Sequence, residues 1–101
     1  MIIKTEQLDR NSAVLFLSGQ LDTASASNFE LELKPLVDGT GDITLDLKDL
    51  SYISSSGLHV VLQTQKAMNT GKRKLIIKNM CESVREVFEI TGVINLITLE
   101  E

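Results

Sequence analysis

The sequence predicts an α/β domain with a mixed sheet packed against helices, in the order β-β-α-β-α-β-α-β. Three observations carry this. Ala13-Val14-Leu15-Phe16-Leu17 is a continuous apolar run of strand length. Ile43, Leu45 and Leu47 alternate with Thr44, Asp46 and Lys48, the period of a strand with one apolar face. Between and after such runs, apolar residues recur at helical spacing, and strands alternating with helices imply parallel pairs joined by right-handed crossovers.

The elements follow in order. Ile2 to Leu8 is short and rich in β-branched residues, as an edge strand would be. Asp9-Arg10-Asn11-Ser12 has turn chemistry, and so short a connection predicts an antiparallel hairpin with the run from Ala13 to Leu17. That run reads as a strand buried on both faces, ended by Ser18-Gly19. Asp22-Thr23 is a helix N-cap signal, with Phe29, Leu33, Leu36 and Val37 at helical spacing behind it. Pro35 lacks a backbone donor and predicts a kink or an early end, before Gly39-Thr40-Gly41 closes the segment.

The alternating strand from Ile43 to Leu47 predicts one sheet face open to water. Leu58, Val61, Leu62, Gln65 and Met68 then mark a second helix, with Val60 and Ala67 widening its stripe and Gly71 as its C-cap. Lys74 to Lys78 is an apolar run flanked by charge, a central strand. Ser83-Val84-Arg85-Glu86 has capping-box spacing for a third helix, with Val84, Val87 and Phe88 as its buried stripe and Gly92 as its stop. Val93 to Leu99 offers a last short strand. Lys72-Arg73-Lys74 reads as a solvated turn, and Met68 and Met80 as core filler.

Length and composition bound the function. A chain of 101 residues, 43% hydrophobic and 24% charged, is one globular domain spanning 1–101. A net charge of −4 disfavours nucleic acid as a partner, because no basic field is present to displace counterions. The one cysteine, Cys81, allows no internal disulfide and reads as a packed or partly exposed reduced thiol. No apolar run approaches the roughly 20 residues needed to span a bilayer, and the first residues lack the apolar core of a signal peptide. A cytoplasmic protein without direct membrane insertion is expected. Asp46 and Asp49 have no second ligand cluster beside them, so no metal and no cofactor are assigned.

The chemistry concentrates in Asp49-Leu50-Ser51-Tyr52-Ile53-Ser54-Ser55-Ser56-Gly57-Leu58, where a strand pattern runs into a helix pattern. The plainest reading makes Ser55 or Ser56 an N-cap and Gly57 the residue that lets the turn close. Three consecutive hydroxyls exceed what one cap requires. A nucleophilic serine would need a base, and the single histidine, His59, lies four residues beyond Ser55. The spacing supplies no orienting acid, and the Gly-x-Ser-x-Gly elbow is absent, so a surface histidine is the better account of His59. A nucleotide-phosphate site would need the glycine-rich Lys-Ser/Thr loop, which is missing. A phosphorylation switch fits the same residues. It would add roughly −1.5 to −2 charges at a helix N-terminus that tolerates them, while repelling an acidic or apolar partner.

These residues resemble the STAS domain family, and specifically its stand-alone bacterial anti-sigma-factor antagonists. Gly19-Gln20-Leu21-Asp22 is similar to the family's Gly-x-Leu-Asp after a buried strand. Leu45-Asp46-Leu47 with Asp49 to Ile53 is similar to its central strand, and Ser54-Ser55-Ser56-Gly57-Leu58 to its Asp-Ser-Ser-Gly-Leu motif. Val87 to Gly92 resembles its third helix. The resemblance covers essentially the whole chain. It implies a non-enzymatic protein that binds an anti-sigma factor which is also a serine kinase, and so frees a sigma factor. It also implies regulation by serine phosphorylation, reversed by a PP2C-type phosphatase. By position, Ser55 is the implied phosphoacceptor. Asp22, Thr23, Tyr52, Ser54, Ser55, Ser56 and Gly57 are the implied partner-binding residues, those from Tyr52 to Ser56 in a loop. The sequence departs from the motif at Ser54, which stands where the family often has Asp and leaves a rival acceptor. The alternative within the family is a STAS subunit of a membrane-associated lipid-transport complex.

Overall fold

The computed structural model describes residues 1–9, 12–39 and 41–100. The elements are β1 (Ile2–Asp9), β2 (Ser12–Leu21), α1 (Thr23–Val37), β3 (Asp42–Ile53), α2 (Ser55–Thr70), β4 (Leu75–Lys78), α3 (Glu82–Ile90), a 3-10 turn (Val93–Asn95) and β5 (Thr98–Glu100). The predicted order holds. The sheet order is β1-β2-β3-β4-β5. β1 and β2 pair antiparallel, as a short connection requires, and the other three pairs are parallel. Arg10 and Asn11 of the expected turn, and Thr40, lie outside the described residues.

Strand register explains the core. Leu15 lies beside Leu45 and Leu45 beside Ile77, so these side chains share one face. Leu15, Leu17, Ile43, Leu45, Leu47, Leu75 and Ile77 form one buried cluster with Phe29 and Leu33 of α1, Val61 and Met68 of α2, and Val84 and Phe88 of α3. All three helices therefore pack on that face. The opposite face carries Lys4, Phe16, Asp46 and Lys78 in register across four strands. One open face was expected from β3. The reading of β2 as buried on both faces is corrected by Phe16, which is 39% exposed on the helix-free side.

Other expectations are also revised. Pro35 does not stop α1, which continues through Val37. Proline's backbone angles suit a helix, and its missing N–H forfeits one helical hydrogen bond, to the carbonyl of Leu31, without ending α1. Arg73 is not a solvated turn residue. Its guanidinium donates to the carbonyls of Leu36 (3.2 Å) and Val37 in the last turn of α1, where carbonyls lack helical partners, and to that of Gly41 (3.3 Å) in the connection to β3. The Ser83–Glu86 capping box does not form, because α3 starts two residues earlier than that box requires, with Cys81 at the N-cap. The Ser83 hydroxyl instead donates to Ser51 O at 3.3 Å, and Cys81 Sγ donates to Leu50 O at 3.3 Å, tying α3 to β3. The last strand is shorter than Val93–Leu99. Val93 is buried in a 3-10 turn, and only Thr98–Glu100 pairs with β4.

Candidate functional site

Two strand-to-helix junctions meet at the carboxyl ends of β2 and β3, the edge of a parallel sheet where α/β folds place their sites. At the first, β2 ends at Leu21 and Asp22 caps α1. The N–H of Ser25 donates to Asp22 Oδ1 at 2.9 Å, and the N–H of Asp22 donates to Ser25 Oγ at 2.9 Å, a reciprocal capping box. The Ser25 hydroxyl also donates to Asp22 Oδ1 at 2.8 Å. The Ser25 backbone N–H, and then its hydroxyl, hold the Asp22 carboxyl below its ordinary pKa, because both bonds favour the charged form. Ser25 was not singled out from the sequence, although its position three residues after the cap is the spacing such a box needs.

At the second junction the connection is a single residue. β3 runs through Tyr52 and Ile53, and α2 begins at Ser55, so the expected loop from Tyr52 to Ser56 is instead strand end, cap and first helical turn. The extension of β3 follows from pairing, since Tyr52 lies beside Gln20 and Ile53 beside Leu21. The cap is Ser54, not Ser55 or Ser56. Its hydroxyl accepts the N–H of Gly57 at 3.1 Å, and its own N–H donates to Leu21 O at 2.8 Å. That second bond stitches the two junctions together.

The three serines thereby take three different positions. Ser54 is buried and committed to capping. Ser55, the first residue of α2, is exposed, and among the described residues its hydroxyl has no hydrogen-bond partner. Ser56 is half-buried, with its Oγ 3.4 Å from Thr23 Oγ1 across the gap to α1. Helix geometry leaves the N–H groups of Ser55 and Ser56 without intrahelical carbonyls, so positive potential surrounds both hydroxyls.

Gly57 has a role other than closing a turn. It is buried in the first turn of α2, and a Cβ there would stand 2.6 Å from Leu21 Cγ, 2.9 Å from Leu21 Cδ2 and 3.2 Å from Ile53 Cγ1. Glycine lets α2 descend onto the ends of both strands. Tyr52 is 48% exposed at the end of β3. A groove of about 470 Å³ runs between α1 and α2, lined by Thr23, Ser27, Glu30, Ser55, Ser56 and His59 among others. His59 thus shares the groove with Ser55, yet its Nε2 lies 3.4 Å from Gln63 Nε2, and among the described residues no carboxylate pairs with it. A serine–histidine–acid relay is not assembled.

Other singled-out residues have structural partners. Asp46 Oδ1 accepts from the Lys48 N–H at 3.1 Å and from Asn79 Nδ2 at 3.2 Å. The Cys81 thiol is held below its ordinary pKa, first by the Ser83 hydroxyl and then by the Val84 N–H. No described helix is long and apolar enough to cross a membrane.

Comparisons with known proteins agree with this geometry. A family model described as STAS domain matches residues 3–101. The anti-sigma-B factor antagonist of Staphylococcus aureus strain NCTC 8325 is 35% identical over 84% of this chain and 80% of that protein. BtrV of Bordetella bronchiseptica, which carries the same class of name, is 41% identical over 79% of this chain and 70% of its own. The structure of the antagonist SpoIIAA in its unphosphorylated form superposes with a TM-score of 0.86 at 22% identity, covering 99% of this chain and 89% of that one. The paired junctions, the Ser-Ser-Gly helix start and these matches place the chain in the STAS domain family, among the anti-sigma-factor antagonists.

Proposed function

We propose that this protein is a non-enzymatic anti-sigma-factor antagonist of a cytoplasmic partner-switching system, and that its docking edge is the pair of junctions. Asp22, Thr23, Tyr52, Ser54, Ser55, Ser56 and Gly57 form that edge, the exposed members by contact and the buried ones by holding the backbone in place. The partner is an anti-sigma factor that is also a serine kinase, and binding it releases a sigma factor. Phosphorylation of Ser55 ends the association, and a PP2C-type phosphatase restores it.

The observation that carries this reading is the division of labour among the serines. Ser55 alone of the three offers an exposed hydroxyl with no competing bond. A phosphate there adds roughly −1.5 to −2 charges beside the free N–H groups of α2, which accommodate it without disturbing the core. At Ser54 the same group would have to displace the cap from a buried position.

The test is kinase labelling followed by intact mass spectrometry, with binding measured in parallel. Ser55→Ala should bind the anti-sigma factor and take no phosphate. Ser55→Glu should bind more weakly than wild type. Labelling of Ser55→Ala equal to that of wild type would assign the modification elsewhere.

A further inference from the structure

β1 is the outer strand of the sheet, and among the described residues no strand pairs with its free edge. Such an edge presents unpaired backbone groups to another chain. Ile2 and Leu8, near its two ends, are 63% and 59% exposed. Lys4 and Glu6, between them, are exposed as well. Read about Thr5, the strand Ile2-Ile3-Lys4-Thr5-Glu6-Gln7-Leu8 is self-complementary in charge and at its apolar ends.

We propose that two copies of this chain associate by antiparallel pairing of β1 with β1, about a twofold axis at Thr5, to form one continuous sheet. The register follows from the fold. A twofold axis perpendicular to the sheet keeps the helix-free faces of both copies on the same side. Residues directly opposite one another must then share a face, so their numbers differ by an even amount. Centred on Thr5, Lys4 of each copy lies opposite Glu6 of the other, Ile2 lies opposite Leu8, and the two Thr5 residues meet at the axis. Opposite charges and paired threonines are both favourable across strands. The adjacent allowed registers are unfavourable. Centring on Lys4 sets Lys4 against Lys4, and centring on Glu6 sets Glu6 against Glu6. The β1–β2 register shifts between Gln7 and Asp9, at the hairpin end, so the regular part of the new pairing runs from Ile3 to Gln7 and the Ile2–Leu8 contacts flank it.

The pairing leaves the docking edge free, because β2 separates β1 from β3 and the junctions begin at Leu21 and Ile53, beyond Ser18, the last residue of β2 that pairs with β1. The contact is one strand long, which puts it among small, weak interfaces.

Sedimentation equilibrium from about 10 µM to about 1 mM tests it. The wild-type apparent mass should rise toward that of a dimer. Lys4→Glu and Glu6→Lys should each weaken association by about tenfold or more, since each sets like charges across both symmetric pairs. An equimolar mixture of these two variants, and the double variant Lys4→Glu/Glu6→Lys, should both recover it. In a half-labelled wild-type sample, intermolecular NOEs should connect Lys4 to Glu6. A wild type that stays monomeric over this range overturns the proposal. So do single variants that associate as wild type does, a mixture that recovers nothing, or NOEs that set Lys4 against Lys4.

Discussion

Replacing Gly57 with alanine probes how closely α2 is seated on the strand ends. The new methyl carbon would lie 2.6 and 2.9 Å from two carbons of Leu21 and 3.2 Å from Ile53 Cγ1. Leu21 is 0% exposed and Ile53 3%, so neither side chain can swing into solvent. Alanine is favoured over glycine in a helix by roughly 0.8–1.0 kcal/mol, less in a first turn. Overpacking a closed site costs about 1–3 kcal/mol. The steric term should win, giving a net loss of about 1–2 kcal/mol. At about 4–8 °C per kcal/mol, that is a readable fall in Tm. Because the chain has no tryptophan, far-UV circular dichroism is the suitable probe. Leu21→Ala alone should cost about 2–5 kcal/mol by opening a cavity. In the double variant the Gly57→Ala methyl would occupy vacated space, so the two effects should fall short of additivity by about 1–3 kcal/mol. A Gly57→Ala protein as stable as wild type, or strict additivity in the double variant, would refute the close-approach argument.

Further expectations concern the caps and the end of α1. Ser54→Ala should lose about 0.5–2 kcal/mol in urea unfolding, the usual cost of a lost N-cap. Ser55→Ala should stay within about 0.5 kcal/mol of wild type, and the reverse order would move the cap to Ser55. Arg73→Ala should cost about 1–3 kcal/mol in thermal unfolding, with Arg73→Lys recovering only part, because one ammonium cannot span three carbonyls. The Asp22 carboxyl is depressed in the folded state, so its stabilising contribution is fully present above its ordinary value of 3.8 and is lost as pH falls through the lower folded value. Asp22→Asn keeps a capping oxygen but not the titration. Its stability should therefore change less than that of wild type across the acid range, and parallel curves would count against the Asp22–Ser25 assignment.

Period and punctuation made most of the framework legible. The alternation at Ile43, Leu45 and Leu47 identified a strand with one apolar face, and Asp22 and Gly71 marked helix limits that the structure keeps. The misses share a cause, contacts between residues distant in sequence. Ser83 had the spacing of a cap but bonds the end of β3, more than thirty residues earlier in the chain. Arg73 sat in a run of charge that reads as solvated, and its real partners lie in the last turn of α1 and the connection after it. Tyr52 and Ile53 read as loop because their pairing partners, Gln20 and Leu21, belong to a strand that extends beyond its own apolar run. At the site, the serine cluster was visible, but which serine caps depended on where β3 stops. The pairing of Ile53 with Leu21 sets that point, and the local pattern does not.

The bond from Ser54 N to Leu21 O, with the fit of Gly57 against Leu21, leaves no slack between the two crossovers. A partner arriving at this edge meets a finished contour, with no loop to order and no hinge to close. In the proposed function, its choice between staying and leaving turns on the chemical state of one surface oxygen, that of Ser55. Such an edge works like a printed page: the paper does not move, and only the ink is changed.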